Sequence, residues 1–192
     1  MKAIFLDRDG TINPDSGYIN KPEDFELYPF SAKAIKIFNK LGYKVIVVTN
    51  QSGIARGYLT KDDLEKIHEK MLYLLKKENA YIDDIFYSPY HSEGIIKPFN
   101  ISHEDRKPSL GMFYKADKKY GITKNKSFMI GDKYSDILFG KNAGLTSILV
   151  RTGDGNKEFF ENRKNWTIKP DFVVDNLLSA AYLIEKIGGK DD

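Results

Sequence analysis

The chain has 192 residues, of which 41% are hydrophobic and 30% charged, a balance typical of one globular domain with a sizeable core. Its formal net charge of +3 is small, and no long run of like charges marks a tail that binds nucleic acid. Because the chain contains no cysteine, disulfide bonds and thiolate metal sites are excluded.

The amino-terminal segment MKAIFLDRDG has too short an apolar stretch for a signal peptide and lacks a small-residue cleavage site. No apolar window is long enough to cross a bilayer. From these patterns we predict a cytoplasmic protein that has neither a membrane nor a nucleic acid as partner. We also predict a monomer, because neither a coiled-coil seam nor a spare apolar helix face is evident.

Apolar runs typical of buried strands alternate along the chain with segments of helical periodicity. The pattern predicts, in chain order, a strand at 2–6, a helix at 33–42, a strand at 43–50, a helix at 60–80, a strand at 83–88, a helix at 111–121, a strand at 126–132, a helix at 135–144, strands at 146–152 and 171–175, and a helix at about 176–187. Since His68 lies in a helix rich in lysine and glutamate, we expect its side chain to be solvated.

This alternation predicts an α/β fold of three layers, with a Rossmann-like, doubly wound parallel sheet and no large cap domain. We assign residues 1–187 to one domain and residues 188–192 to a tail. The irregular stretch 88–110 is too long for an ordinary connection. We interpret it as an insertion that shapes the substrate site.

Polar residues follow the predicted strands at the sheet edge where α/β proteins bind ligands. Asp7 and Asp9 follow the first strand and Asp132 follows the fourth. Two carboxylates at about 4 Å repel each other by about 4 kcal/mol at an effective dielectric constant near 20. Mg²⁺ offsets such repulsion and bridges to phosphate oxygens. Because aspartate can also act as a nucleophile, the pattern predicts phosphoryl transfer with one Mg²⁺.

Four motifs occur in the order found in haloacid dehalogenase-like (HAD) phosphohydrolases: DRDGT at 7–11, a second strand that ends in Thr49, Lys107, and GDKYSD at 131–136. The chain resembles this superfamily over almost its whole length, which implies the HAD-like fold. The segments FLDRDGTIN, VTNQSGIARG, RKPSLGM, IGDKYSDI and LVRTG further resemble the family of D-glycero-D-manno-heptose 1,7-bisphosphate 7-phosphatases.

The resemblance implies a phosphomonoester hydrolase that removes the C7 phosphate in nucleotide-heptose biosynthesis for lipopolysaccharide or another surface glycan. One alternative is a histidinol-phosphate phosphatase or another small phosphosugar phosphatase. Histidinol-phosphate phosphatases typically have TNQDG where this chain has TNQSG, and they lack the IARG that follows here. A polynucleotide 3′-phosphatase shares the first motif, but this chain has no kinase P-loop and no basic stripe. A non-catalytic phosphosugar-binding protein is an alternative of a different class.

Roles in a two-step mechanism follow from the same resemblance. Asp7 is implied as the nucleophile that becomes an aspartyl-phosphate, and Asp9 as the acid that protonates the leaving oxygen and then the base that activates water. Thr49 and Lys107 are implied to bind the transferred phosphoryl group. Mg²⁺ is implied to bind Asp7, the backbone carbonyl of Asp9, and Asp132.

The implied substrate-binding residues are Asp15, Ser16, Gly17, Tyr18, Asn50, Gln51, Ser52, Arg106 and Lys133. Arg106 is suited to bidentate contact with a second phosphate or with sugar hydroxyls. Asp136 is expected to orient Lys133 or a metal-bound water, although direct ligation stays open.

The family usually carries a structural zinc in its long loop, bound by a Cys-x-His pair and a later Cys-x-Cys pair. The corresponding positions here are Ser88, Tyr90, His103 and Asp105. Because no thiolate remains, we predict that the loop holds no zinc. We expect it to be held instead by apolar packing against the body of the protein, through Pro89, Ile95, Ile96, Pro98 and Phe99.

Overall fold

The computed structural model describes residues 1–188, so the predicted tail lies outside the described residues except for Gly188, which ends the last helix. The strands are β1 (Ala3–Leu6), β2 (Lys44–Asn50), β3 (Asp84–Ser88), β4 (Phe128–Gly131), β5 (Thr146–Val150) and β6 (Phe172–Val174). The helices are α1 (Ser31–Lys40), α2 (Lys61–Lys77), α3 (Gly111–Tyr120), α4 (Tyr134–Ala143), α5 (Gly155–Lys157) and α6 (Leu177–Gly188). Every predicted strand and helix is present within a few residues of its expected ends, whereas α5 was not predicted.

The six strands form one parallel sheet in the order β3-β2-β1-β4-β5-β6. Strand β1 lies in the middle, where Leu6 pairs with Val47 of β2 and with Ile130 of β4. The chain moves outward from β1 to β3 and then restarts on the other side with β4. Ligand sites of α/β proteins lie at the carboxyl ends of the strands where the order reverses in this way, here between β1 and β4.

Helices cover both faces of the sheet, because the side chains of each buried strand alternate between the two faces. Ile4 and Leu6 pack in a core with residues of α1, α2 and α6, while Ala3 and Phe5 pack in a second core with α3 and α4. All four of these β1 side chains are fully buried. The predicted three-layer α/β fold is therefore confirmed, and residues 1–188 contain no large cap domain.

Local sequence signals explain where the helices next to the functional edge begin. Thr60 caps α2, because its hydroxyl accepts the backbone N–H of Asp63 while the Asp63 carboxylate accepts the backbone N–H of Thr60. At α4, Oδ2 of Asp136 accepts the backbone N–H of Lys133 at 3.0 Å. Each acid also complements the positive end of its helix dipole.

The loop at 88–110 is held in part as expected, because Phe99 packs against the core and Pro89 is buried. Ile95 is 75% exposed and Pro98 is exposed, so the expected apolar packing of these two residues is wrong. The backbone N–H groups of Ile95 and Ile96 instead both donate to the carbonyl of Ala55, at 2.7 and 2.9 Å. Backbone hydrogen bonds thus fasten this part of the loop to the segment after β2. In the described residues no helix is both long and apolar enough for a bilayer.

Candidate active site

Asp7 and Lys107 form a buried ion pair at the carboxyl end of β1. Nζ of Lys107 lies 2.9 Å from Oδ1 of Asp7 and 2.6 Å from Oδ1 of Asp136, and it donates to the carbonyl of Val48 at 2.7 Å. The backbone N–H of Asp7 donates to the carbonyl of Ile130, which continues the β1–β4 ladder to the first acid. The fold therefore brings one ammonium group between two acids that are far apart in sequence.

Asp7, Asp132 and Asp136 form an acidic cluster in which one oxygen of each residue lies within 4.8 Å of the others. Oδ2 of Asp132 accepts the backbone N–H of Asp154 at 2.8 Å, whereas Oδ1 is buried and has no hydrogen-bond partner among residues 1–188. An orphaned carboxylate oxygen next to two further buried carboxylates matches the all-oxygen donor set that Mg²⁺ prefers. The cluster therefore fits a divalent cation.

The protonation of this cluster depends on burial. Burial raises the pKa of Asp7 to about 6, with Lys107 opposing and Asp136 adding to the increase. Burial, followed by repulsion from Asp7 and Asp136, also raises the pKa of Asp132 well above its ordinary value. The pKa of Lys107 rises because attraction to Asp136 and Asp7 outweighs the opposing effect of burial. The raised pKa values of Asp7 and Asp132 mean that, without a bound cation, the positive charge near these carboxylates does not fully compensate their negative charge.

Two glycines allow the backbone to approach Asp132 closely. Gly10 follows the second aspartate at φ +86°, and Gly153 follows β5 at φ +54°. A Cβ at either position would overlap the Asp132 carboxylate. Both positions require glycine, because the positive φ and the lack of space each disfavour a side chain.

Asp9 lies in a dense hydrogen-bond network. Its carboxylate accepts Nε and Nη2 of Arg8, at 3.1 and 2.9 Å, Nδ2 of Asn13 at 2.9 Å and Nε2 of Gln51 at 2.8 Å. Burial acts to raise the pKa of Asp9, but the Arg8 charge and these hydrogen bonds lower it overall. In this arrangement Asp9 is a carboxylate, the form needed of a base.

Asn50 and Gln51, expected to bind substrate, also position other site residues. Oδ1 of Asn50 accepts the backbone N–H of Lys107 at 3.0 Å, and its Nδ2 donates to the Lys107 carbonyl at 3.2 Å. Nε2 of Gln51 also donates to Oγ1 of Thr49 at 2.9 Å. The TNQSG segment therefore clamps Lys107 to the end of β2 and connects Thr49 with Asp9.

A cavity of about 300 Å³ opens above these residues. Of the expected site residues, those that line it are Asp7, Asp9, Asp15, Gly17, Tyr18, Thr49, Asn50, Gln51, Ser52, Lys107 and Lys133. Asp136 lines it as well. Asp132 is fully buried beneath it, and Ser16 and Arg106 are absent from its wall.

Lys133 and Asp136 contact different partners from those expected. Nζ of Lys133 pairs with Asp15 at 2.9 Å and lies 3.5 Å from Asp154. Oδ2 of Asp136 accepts the backbone N–H of Lys133, not its ammonium, and Oδ1 of Asp136 pairs with the ammonium of Lys107. Asp136 therefore orients Lys107 rather than the ammonium of Lys133.

Arg106 does not line the cavity, but its charge interacts with Tyr18, which does. The guanidinium Nη1 donates to the carbonyl of Tyr90 at 3.2 Å. Burial, followed by repulsion from Arg56, lowers the pKa of Arg106. The two neighbouring guanidinium groups make this part of the mouth attractive to an anion.

The residues at the family's zinc positions form a stack rather than a ligand set. The rings of Tyr90 and His103 lie 3.8 Å apart with an angle of 11° between their planes. Nδ1 of His103 accepts the backbone N–H of Asp105 at 3.1 Å, and Oδ2 of Asp105 pairs with Lys115 at 2.5 Å. No thiolate is present, and of the four positions only His103 and Asp105 carry groups that zinc commonly binds, which is too few for a tetrahedral site.

Sequence reasoning missed the surroundings of Arg8. His68 is only 7% exposed, and its Nε2 lies 3.2 Å from Nη1 of Arg8, so the expectation of a solvated His68 is wrong. A signal was available, since His68 lies on the same helical stripe as the buried Leu64 and Met71. The lysines and glutamates around it occupy the opposite face.

Comparisons with known proteins agree with this geometry. A HAD-hydrolase-like family model matches residues 105–180. The chain is 41% identical over 190 residues to the D-glycero-beta-D-manno-heptose-1,7-bisphosphate 7-phosphatase of Haemophilus influenzae, covering 97% of this chain and 98% of that protein. It is 38% identical to the corresponding alpha-heptose enzyme of Photorhabdus laumondii, covering 96% of this chain and 97% of that protein. The structure of D,D-heptose 1,7-bisphosphate phosphatase from B. bronchiseptica, complexed with magnesium and phosphate, is 30% identical with a TM-score of 0.85, and the match covers 97% of this chain and 99% of that one.

Proposed function

Because this chain belongs to the HAD-like family of heptose bisphosphate phosphatases, hydrolases that act on phosphoric monoesters, we propose that it removes the C7 phosphate of D-glycero-D-manno-heptose 1,7-bisphosphate. The observation that carries the proposal is the joint position of Asp7, Lys107 and the acidic cluster at the floor of one cavity. The names of the relatives support the substrate. The product would then enter nucleotide-heptose biosynthesis.

We assign Mg²⁺ to the acidic cluster, with Asp7, the backbone carbonyl of Asp9 and Asp132 as its protein ligands. The orphaned Oδ1 of Asp132 supports this assignment, as does the magnesium in the B. bronchiseptica structure. When bound, the ion neutralises the carboxylates and polarises the phosphoryl oxygens. Asp136 acts on Lys107 in this proposal rather than as a direct ligand.

Asp7 is the nucleophile of the first step. Its pKa of about 6 leaves it mostly ionised at neutral pH, and Lys107 holds one of its oxygens at 2.9 Å. A carboxylate oxygen attacks phosphorus, the bond between phosphorus and the C7 oxygen breaks, and an aspartyl-phosphate forms on Asp7. Lys107 and the hydroxyl of Thr49 neutralise and orient the phosphoryl oxygens during the transfer.

Asp9 exchanges the proton in both steps. A phosphate dianion that arrives beside Asp9 raises its pKa, because two negative charges disfavour each other. Asp9 therefore takes up a proton from solvent as the substrate binds, and it gives that proton to the C7 oxygen as that oxygen leaves. In the second step the Asp9 carboxylate takes a proton from the water that attacks phosphorus, which regenerates Asp7 and releases inorganic phosphate.

Residues around the mouth recognise the rest of the substrate. The ion pair of Lys133 with Asp15 and the exposed ring of Tyr18 line the cavity. Arg106, beside Arg56, attracts the phosphate that is not cleaved. The loop at 88–110 acts as the insertion that brings Arg106 to the mouth.

Steady-state kinetics on a panel of phosphate esters tests the substrate assignment. The panel contains both anomers of the heptose bisphosphate, histidinol phosphate and an aryl phosphate. We expect kcat/KM to be highest for one of the two heptose anomers, by at least about 100-fold over the aryl phosphate, because the second phosphate adds binding energy realised in the transition state. A preference for histidinol phosphate would overturn the substrate while leaving the reaction type in place.

A further inference from the structure

Arg8 stands between the two aspartates of the DRDGT motif, and unlike them it does not line the cavity. Its side chain is 1% exposed. One edge of the guanidinium contacts both oxygens of Asp9, and Nη2 also lies 3.3 Å from Oε1 of Gln51. The remaining nitrogen, Nη1, faces Nε2 of His68 at 3.2 Å. The orientation of the guanidinium is therefore set from two sides, by an acid and by a histidine.

This contact determines the tautomer of His68. An arginine guanidinium is always protonated and has only donors, so Nε2 of His68 must accept. The proton of a neutral imidazole then lies on Nδ1. Burial, followed by the Arg8 charge, lowers the pKa of His68 to about 3, which agrees with a neutral ring. His68 is thus a fixed acceptor in the middle of helix α2.

The surroundings of His68 keep its ring in place. The ring meets that of Tyr87 edge-on, with centroids 6.0 Å apart, and α2 is anchored in the core by neighbours such as Leu64 and Met71. If Nε2 were lost, one guanidinium N–H of Arg8 would be buried without a partner, which is costly. The guanidinium would then turn toward another acceptor, and its contact with Asp9 would change.

We infer that His68 is a positioning residue for the proton transfer by Asp9, acting through Arg8. His68 touches neither the substrate nor Asp9. It fixes the guanidinium, and the guanidinium together with Gln51 holds the Asp9 carboxylate toward the cavity. This inference rests on the proposed function, because it assumes that Asp9 protonates the leaving oxygen.

Leaving-group dependence separates this role from general damage to the protein. An alkyl phosphate, such as the heptose substrate, needs a proton on its leaving oxygen, whereas 4-nitrophenyl phosphate has a good leaving group and does not. The value of kcat/KM reports the steps up to the departure of the leaving group. We expect His68→Leu to lower kcat/KM for the heptose substrate by at least about 10-fold, a part of the roughly 10²–10⁴-fold that a positioned proton donor contributes. For 4-nitrophenyl phosphate we expect kcat/KM to fall by less than about 3-fold, because proton donation contributes little to the departure of this leaving group.

His68→Gln is the conservative variant, because a glutamine side chain can place an acceptor near the position of Nε2. We expect it to recover most of the loss with the heptose substrate. Met71→Leu is the matched control on the same helix and should leave both substrates unaffected. Equal losses on the two substrates, or no recovery in His68→Gln, would overturn the inference.

A measurement on the unmodified protein avoids the risk that His68→Leu fails to fold. The chain contains three histidines, so the ¹⁵N resonances of each ring can be assigned by substitution. We expect Nε2 of His68 to show the shift of an unprotonated nitrogen and Nδ1 that of a protonated one from pH 5 to pH 8. A proton on Nε2 would contradict the inference.

Asp9→Asn separates this inference from the proposed function. If Asp9→Asn leaves turnover of the heptose substrate intact, the acid role of Asp9 itself is wrong. If Asp9→Asn abolishes that turnover while His68→Leu does not discriminate between the two substrates, only the role of His68 is wrong.

Discussion

The ammonium of Lys107 lies 2.9 Å from the Asp7 carboxylate, and both side chains are more than nine-tenths buried. A buried pair of this kind adds little net stability compared with apolar residues, but the loss of one partner leaves an uncompensated charge. The pair is therefore better explained by chemistry than by stability. In the proposed mechanism the pair keeps the Asp7 carboxylate next to the cation that its phosphorylated form would also require.

Lys107→Met tests this pair. The substitution leaves Asp7 and Asp136 facing each other without their shared cation, so we expect the free energy of unfolding of the metal-free protein to fall by about 3–5 kcal/mol. We also expect phosphatase activity to be lost. Urea denaturation in EDTA measures the first effect. Lys119→Met removes an exposed ion pair with Asp84 and is the control, for which we expect no measurable change in stability. Similar changes in both variants would count against the buried pair.

Asp132→Asn is expected to stabilise the metal-free protein while it abolishes activity. The folded-state pKa of Asp7 is raised to about 6 and that of Asp132 well above its ordinary value, so their contribution to stability is complete below about pH 4 and is lost as the pH rises through each folded-state pKa. In EDTA, the wild-type melting temperature should therefore drop between pH 5 and pH 7. Asp132→Asn should reduce that drop and raise the melting temperature at pH 7 by about 2–4 °C. A gain on the order of 1 kcal/mol in the free energy of unfolding gives such a shift in a chain of this size.

The corresponding scan with excess Mg²⁺ is the control for this prediction. The cation neutralises the cluster, so the wild-type protein should lose its pH-dependent drop, and Asp132→Asn should gain little from the addition. A melting temperature of Asp132→Asn below that of the wild type in EDTA at pH 7 would contradict the assignment.

Arg106→Ala is expected to raise KM for the heptose bisphosphate by about 10–100-fold, the range for a lost hydrogen bond to a charged group. Because 4-nitrophenyl phosphate has no second phosphate, its kinetic constants should change little. Arg163→Ala, in an exposed turn after α5, is the control and should affect neither substrate. Equal effects of Arg106→Ala on both substrates would mean that Arg106 acts on the cleaved phosphate or on the fold.

The stack of Tyr90 and His103 is expected to take over the loop-holding role of zinc. Tyr90→Ala should destabilise the loop by about 0.5–1.5 kcal/mol through the lost ring stack. It should also raise KM for the heptose bisphosphate, because the backbone carbonyl of residue 90 accepts a hydrogen bond from Arg106. Tyr90→Phe keeps the stack and should behave as wild type. Protein purified without added zinc should contain far less than one zinc per chain by elemental analysis. Stoichiometric zinc would refute this account of the loop.

Much of the fold and of the candidate site follows from local sequence. The apolar runs and helical periods locate the strands and helices, and the ordered motifs bring Asp7, Thr49, Lys107 and Asp132 to the same sheet edge. What could not be predicted depends on tertiary partners. The family resemblance implied that Asn50 binds substrate, but only the folded chain shows that it clamps the Lys107 backbone.

Burial of polar side chains was the least predictable feature. Arg8 and His68 lie next to charged residues in sequence, and their burial results from how α2 packs against the end of β1. For Ile95, in the loop at 88–110, the error has the opposite sign: the side chain was expected to be packed but is exposed. The backbone N–H of Ile95 instead holds the loop through its hydrogen bond to the carbonyl of Ala55. Composition predicts which residues favour the interior, but the packing of distant segments decides which of them reach it.

Trapping the phosphorylated protein tests the central claim most directly. Enzyme is mixed with excess substrate, quenched in acid within the first turnover and digested, and the phosphopeptides are identified by mass spectrometry. The account predicts one acid-stable, hydroxylamine-sensitive phosphoryl group on the peptide that contains Asp7, and none in Asp7→Asn, which should also be inactive. A phosphoryl group on another residue, or full hydrolysis by Asp7→Asn, would contradict it.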